Sequence, residues 1–399
     1  MAEVFPFRAI TPPAAWAPTL IAPPYDTLDD AEARALASVP SSFVRVTRAE
    51  VDLPEGTDPH HPDAYVAARR NLEAFLEAGW LREDPTPAYW LYGLTWQGRR
   101  QLGLLGGCSV AAYDAGDVRK HEHTRPDKEQ DRAIHMEALD AQVGLVFLAY
   151  RADAALDALL ERLAQAPPAW TVATEDGVTH ALWRVPDAQT EVVLAAVRAL
   201  PRLYVADGHH RSAAASRVHA RRQDAPSSTF LAGIFPDNQL RILPYQRVVH
   251  DLNGHTPAGL VVAIEAAGFR VEEGATHPPA PGTFAMYVDG RWATVHDLHE
   301  RPDDPVARLD VSILQDRILA PLLGINDPRR SMRISFVGGI RGIDALAEGA
   351  ARHGGVAFSL PPTSMEALFA VADAGDVMPP KSTWFEPKLR EGVVSRWLR

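Results

Sequence analysis

The sequence predicts an α+β protein in two regions, and three observations support this. Strand-length apolar runs are joined by hairpin turns at Gln97-Gly98 and Asp176-Gly177, helix-period stretches lie between the strand runs, and the texture changes near residue 251 to short alternating strands and helices. A chain of 399 residues exceeds the usual single-domain size, so we divide it into a first region, 1–250, and a smaller C-terminal α/β region, 251–399. Hydrophobic content of 46% and charged content of 23% suit a globular protein with a large core. No apolar run approaches the roughly 18–20 residues that cross a bilayer, and Met1 to Pro6 has no basic segment leading an apolar one. A cytoplasmic protein without a membrane partner is expected. The single cysteine, Cys108, excludes an intrachain disulfide and a multi-cysteine zinc site, and its apolar surroundings from Leu104 to Val110 point to a core role. A net charge of −11 argues against a nucleic-acid partner but is compatible with small anionic ligands.

In chain order, Pro23-Pro24 fixes a rigid loop with Tyr25 packed inward and Asp26 beside it. Tyr65, Ala68, Leu72, Phe75 and Leu76 share one face of a helix over 63–78 that stops at Gly79, and strands follow over 89–96 and 101–110. The run from Arg119 to Arg132 is almost entirely polar. It reads either as a solvated loop and helix start or as a site, with Glu122 a carboxylate base between two imidazoles and Lys128 and Arg132 a phosphate-facing pair four residues apart. A strand over 141–150, a helix over 152–166, a hairpin over 170–185 and a helix over 190–200 complete the scaffold before Leu203.

The stretch Leu203 to Ser212 passes from a buried-strand pattern to a helical one through Asp207-Gly208-His209-His210-Arg211. A helix start there presents N–H groups with no internal acceptor and partial positive charge, which favours an anion by roughly 0.3–1 kcal/mol before Arg211 contributes. Gly208 lets a backbone approach closely, while on the plainer reading Asp207 is simply the N-cap. Runs 229–235 and 240–249 are expected to pair across Asp237-Asn238, with Pro244 at an edge and Arg247 at the core rim rather than on a ligand. The second region reads as helices over 258–267, 309–322, 344–352 and 365–374 among strands at 269–272, 284–288, 292–295, 333–337 and 356–360. Its last loop places Gly375, Lys381 and Ser382 at P-loop spacing, but Pro380 lacks the N–H that such a loop needs. Lys381, Ser382 and Thr383 remain candidates to contact phosphate, or form an exposed loop.

Three chemistries compete. Phosphoryl transfer would use Glu122 as base, with Gly208, His209, Arg211 and magnesium on the donor phosphates. Metal-dependent hydrolysis of a phosphate ester or nucleotide would use His121, His123, His209 and His210, but no helical i, i+4 pair is present. A non-catalytic nucleotide-binding regulatory module is disfavoured by the acidic charge.

Four motifs in order, Pro23-Pro24-Tyr25-Asp26, His121-Glu122-His123-Thr124, Asp207 to Arg211, and Met378-Pro379-Pro380-Lys381-Ser382-Thr383 through Pro387-Lys388, resemble those of a widespread bacterial and archaeal family of unknown function. The Asp-Gly-His-His-Arg turn is in turn similar to that of free-serine kinases of ParB/sulfiredoxin-like fold, which make O-phosphoserine from ADP, ATP or pyrophosphate. The resemblance implies a ParB/sulfiredoxin-like catalytic region with an N-terminal elaboration and a kinase acting on L-serine or a similar hydroxy compound in serine biosynthesis. It implies catalytic roles for Glu122, Asp207, His209 and His210, and a magnesium ion at Asp207. Phosphate or nucleotide contacts would fall to Gly208, Arg211, Lys120, Lys128, Arg132, Lys381, Ser382 and Thr383, and substrate contacts to His121, Thr124, Tyr25, Asp26 and Arg247. Tyr245-Gln246 departs from the small polar residue and His or Asn expected before Arg247, which bears on specificity. The oligomeric state is left open, a homodimer included.

Overall fold

A computed structural model describes residues 3–274, 276–278 and 280–399. The chain forms two compact units, Met1–Leu240 with Pro387–Arg399, and Arg241–Glu386. It therefore crosses between them twice, at 240/241 and at 386/387, where the sequence suggests one crossing at 250.

In the first unit nine strands make one mixed sheet. Eight follow the spatial order Val118–Arg119, Leu203–Asp207, Val146–Tyr150, Thr229–Pro236, Arg99–Ser109, Trp90–Trp96, Thr179–Arg184 and Trp170–Ala173, and Val4–Phe5 pairs with Arg99–Ser109. Leu203–Asp207 runs parallel to Val118–Arg119, and Thr229–Pro236 parallel to Val146–Tyr150; the other pairs are antiparallel. Strand interiors are buried apolar residues such as Leu104, Leu148, Val205 and Ile234, and the His209–Arg222 helix covers them with Ala214, Ala215 and Val218. At 25 cal/mol per Å² of apolar surface, each fully buried Val, Leu or Ile contributes about 1.5–3 kcal/mol to the stability of this core. A second core of Leu20, Phe43, Val46, Leu72 and Phe75 gathers the N-terminal elements around the Pro62–Glu77 helix.

The expected pairing of 229–235 with 240–249 does not form. Both edges of Thr229–Pro236 are already taken, by Arg99–Ser109 and Val146–Tyr150. Arg241–Leu243 instead pairs with Trp384–Glu386, and Tyr245–Val249 with Ile334–Gly338 and Val356–Ser359. The sheet of the second unit has the order Phe269–Glu273, Arg291–Asp297, Thr283–Val288, Val356–Ser359, Tyr245–Val249, Ile334–Gly338, with every pair antiparallel. Of the α/β and α+β readings open for this unit the structure has α+β, since all its strand pairs are antiparallel and Thr283–Val288 joins Arg291–Asp297 through a short hairpin at Asp289-Gly290 rather than a helical crossover. The helix expected over 309–322 is an α-turn at Asp310–Leu314 that widens into a π-helical segment, Gln315–Leu319.

Candidate functional site

The site is built where Leu203–Asp207 hands over to the His209–Arg222 helix in the first unit. Tyr204 faces Ala149, Val205 faces Leu148 and Asp207 faces Phe147, so one extra residue bulges the strand just before its end. A bulge of this kind redirects the side chain that follows it. Oδ1 of Asp207 accepts from the Gly208 N–H at 2.7 Å, and Oδ2 accepts from Nζ of Lys388 at 2.7 Å. Burial alone would raise the Asp207 carboxyl, but the Lys388 ammonium and the Arg211 guanidinium outweigh it and hold the group well below the usual carboxylate range.

Asp207 is not the helix N-cap. Gly208 occupies that position at φ 89° and ψ 29°, a left-handed conformation that costs a glycine almost nothing. A Cβ at Gly208 would lie 3.4 Å from Cα of Val146, so the turn also sits close against the neighbouring strand.

His209 begins the helix with its ring 4% exposed and packed edge-to-face on His121, the centroids 4.5 Å apart. Its Nδ1 stands 3.8 Å from Oε2 of Glu122, whose side chain is 45% exposed. Among the described residues Nε2 of His209 is buried without a hydrogen-bond partner. Burial pushes His209 well below the ordinary histidine value and His121 down to about 4, so both are neutral imidazoles at neutral pH. His210 turns the other way: its Nε2 accepts from the Arg125 N–H at 3.1 Å, which assigns the ring proton to Nδ1, and burial lowers it too. Thr124 donates to Glu129, which pairs with Arg217 at 2.8 Å, so Thr124 anchors the segment to the Pro126–Leu139 helix.

Arg211 donates from Nη1 to the Leu145 carbonyl at 2.6 Å, and its Nη2 stands 4.0 Å from Asp26 and 3.9 Å from Glu391. Two guanidiniums lie over the Tyr25 ring, Arg132 at 4.1 Å and Arg211 at 5.7 Å, and burial pushes its hydroxyl up to about 12. Arg132 is itself paired with Asp131 at 2.6 Å. Lys120 lies over the Tyr113 ring at 4.2 Å, and Lys128 is partly exposed in the first turn of Pro126–Leu139. Thus the structure brings together Tyr25, Asp26, His121, Glu122, Arg132 and Asp207 to Arg211, all within one unit.

Arg247, Lys381, Ser382 and Thr383 belong to the second unit. Arg247 is buried, donates to the carbonyls of Tyr245 at 2.8 Å and Pro380 at 3.2 Å, and burial pushes its guanidinium down to about 9, so it buttresses the proline loop. Lys381 adopts φ 57° and lies over the Tyr245 ring at 5.2 Å, while Ser382 donates to the Pro379 carbonyl at 2.6 Å. Lys381 and Ser382 line a cavity of about 420 Å³ within that unit. Among the described residues no three His, Cys, Asp or Glu side chains are placed to hold a metal ion.

Sequence reasoning missed two residues of the first unit, Lys388 and Glu391. The returning C-terminal segment fixes both: Ala22 and Glu391 exchange backbone hydrogen bonds at 3.0 and 2.9 Å, and Arg396–Trp397 pairs with Ala141–Gln142. Lys388 stands inside the quoted C-terminal signature, and that was the available signal.

Fold and site together define an α+β protein with a strand-to-helix turn flanked by buried histidines and arginines. The chain belongs to the family described as "Protein of unknown function (DUF1015)", which matches residues 4–312 and so ends before the C-terminal signature. Among solved structures, similarity extends to a conserved hypothetical protein from Pyrococcus furiosus, at 11% identity over 71% of this chain and 90% of that one, with a TM-score of 0.35. A free serine kinase in complex with AMP shows 11% identity over 71% of this chain and 86% of its own, with a TM-score of 0.37. SbnI with C-terminal truncation from Staphylococcus aureus shows 12% identity over 73% and 81%, with a TM-score of 0.36. No curated protein sequence matches the chain.

Proposed function

We propose that the first unit, read as a ParB/sulfiredoxin-like catalytic region, transfers a phosphoryl group from ADP, ATP or pyrophosphate to L-serine or a similar small hydroxy compound. The observation that carries the proposal is the placement of the half-exposed Glu122 carboxylate 3.8 Å from His209, the first residue of a helix whose opening turn also supplies Arg211. Support for serine comes from the likeness of the Asp-Gly-His-His-Arg turn to that of free-serine kinases.

In the step proposed, the acceptor hydroxyl oxygen attacks the terminal phosphorus of the donor. The bond from that phosphorus to the bridging oxygen breaks, and AMP, ADP or phosphate leaves with the bond's electrons. The hydroxyl proton passes to Glu122. The helix-start N–H groups and Arg211 stabilise charge on the phosphoryl oxygens, which is most of what this reaction asks of a protein. Asp207, held ionised by Lys388, is too weak a base for the proton and serves to fix the turn. A magnesium ion carried in on the donor phosphates, which needs only one or two carboxylates beside phosphate oxygens, would be held by Asp207 once it displaced the Lys388 ammonium from Oδ2. Bound there, magnesium would neutralise phosphate charge. The histidines orient rather than titrate: neutral His209 faces Glu122, and His121 packs against it.

The test is to incubate the full chain with magnesium and L-serine and, separately, each of the three donors. O-phosphoserine is expected with at least one donor. Its absence with all three, in protein shown to be folded, removes the serine-kinase reading.

A further inference from the structure

A pocket of about 40 Å³ lies in the first unit, bounded by Tyr25, Thr47, Arg132, Gly144, Arg211 and Glu391. A single water needs roughly 10–15 Å³ on this measure, so the space suits about three or four waters or one carboxylate group. Its polar wall is incomplete. Arg132 is neutralised by Asp131, but Nη2 of Arg211 reaches Asp26 and Glu391 only at 4.0 and 3.9 Å, beyond hydrogen-bond range. Glu391 is 3% exposed, and its Oε2 is buried with no geometrically formed hydrogen bond among the described residues. Burial also pushes this carboxyl up to about 7 against the opposing pull of the Arg211 guanidinium and the Thr47 hydroxyl, so in its protonated form it can donate into the pocket.

We infer that this pocket binds the carboxylate of a small amino acid or hydroxy acid, one ligand oxygen accepting from Arg211 and the other from Glu391. Nη1 of Arg211 is taken by the Leu145 carbonyl, which leaves Nη2 for one oxygen of a planar carboxylate, and the Glu391 acid in the wall disfavours a phosphate dianion. Gly144 leaves the room for it. A Cβ there would lie 3.4 Å from Cδ and Nε of Arg211 and 3.6 Å from Oε1 of Glu391, so a methyl group fits the fold while occupying ligand space. The inference rests on the proposed phosphoryl transfer only where it makes the ligand the acceptor, whose hydroxyl would then extend toward the helix start that Arg211 shares.

Calorimetric titration of the full chain without nucleotide tests the pocket, using L-serine, L-alanine, L-serinamide and inorganic phosphate. L-serine and L-alanine are expected to bind, L-serinamide at least tenfold more weakly. Gly144→Ala is expected to weaken both amino acids at least tenfold while its thermal midpoint stays within a few degrees of the parent. Equal binding of the amide, undiminished binding by Gly144→Ala, preference for phosphate, or no binding of either amino acid overturns the inference. L-alanine has no hydroxyl to phosphorylate, so its binding supports the pocket even where no O-phosphoserine forms. Conversely, product formed by a chain indifferent to Gly144→Ala sustains the kinase and removes the pocket.

Discussion

Asp207 and Lys388 are 181 positions apart, and their 2.7 Å pair sets the charge at the turn. Removing the ammonium leaves a partly buried carboxylate with the Gly208 N–H and a more distant guanidinium. Lys388→Met is therefore expected to cost about 1–2 kcal/mol in urea unfolding, and less in a background already carrying Asp207→Asn, where there is no charge to strand. The sign in pH follows from the depressed folded value. The pair stabilises the protein above the unfolded carboxyl value and loses that contribution as pH falls through the folded one, so Lys388→Met is expected to flatten the acid limb of the stability profile. Glu391 works in the opposite sense. Its carboxyl is raised from 4.5 to about 7, so the folded state is favoured at low pH and loses up to about 3 kcal/mol as pH climbs between those values. Glu391→Gln is expected to remove that decline between pH 5 and pH 8, read from urea midpoints at the two values.

At the scale of elements, the unit that matters is strand, bulge, glycine turn and helix. Gly208→Ala forces a side chain into φ 89° and is expected to cost about 1–2 kcal/mol and to shift the helix start, weakening nucleotide binding measured by titration. This element was legible in the sequence because its information is local. An apolar run, a glycine and an Ala/Arg-rich stretch lie within twenty residues, and the Glu122 segment likewise announces itself by polarity. The N-cap reading of Asp207 failed because a strand bulge, which depends on the neighbouring strand, decides where that carboxylate points. Glu391 was illegible as a site residue for the same reason, and Lys388 was visible only as a member of the C-terminal signature, since nothing near either in sequence marks a pairing with Asp207 or Arg211. Helix and strand positions elsewhere followed the periodicity closely, as at Pro62–Glu77 and Thr179–Arg184. Pairing partners did not: the residues paired with Tyr245–Val249 lie 85 to 111 positions downstream, from Val249↔Ile334 to Arg247↔Phe358.

At the scale of the whole molecule, the chain leaves its first unit at Leu240 and returns to it at Pro387. The returning segment places Leu398 in the main core at 0% exposure and pairs Arg396–Trp397 with Ala141–Gln142, as well as delivering Lys388 and Glu391. Ending the chain after Glu386 is therefore expected to destabilise the first unit by at least about 3 kcal/mol, the scale of one large-to-small core substitution, and to broaden its calorimetric transition. The second unit contributes its own antiparallel sheet and a cavity at Lys381 and Ser382. No helix among the described residues is long and apolar enough to cross a membrane. The most direct test of the central claim is the rate of O-phosphoserine formation by the parent chain and by Glu122→Gln, which keeps the shape of the side chain and removes its basicity. Turnover by the parent and a rate lower by about 10²–10⁴ in the variant are expected. A parent that makes no product, or a variant that turns over at the parent's rate, would contradict it.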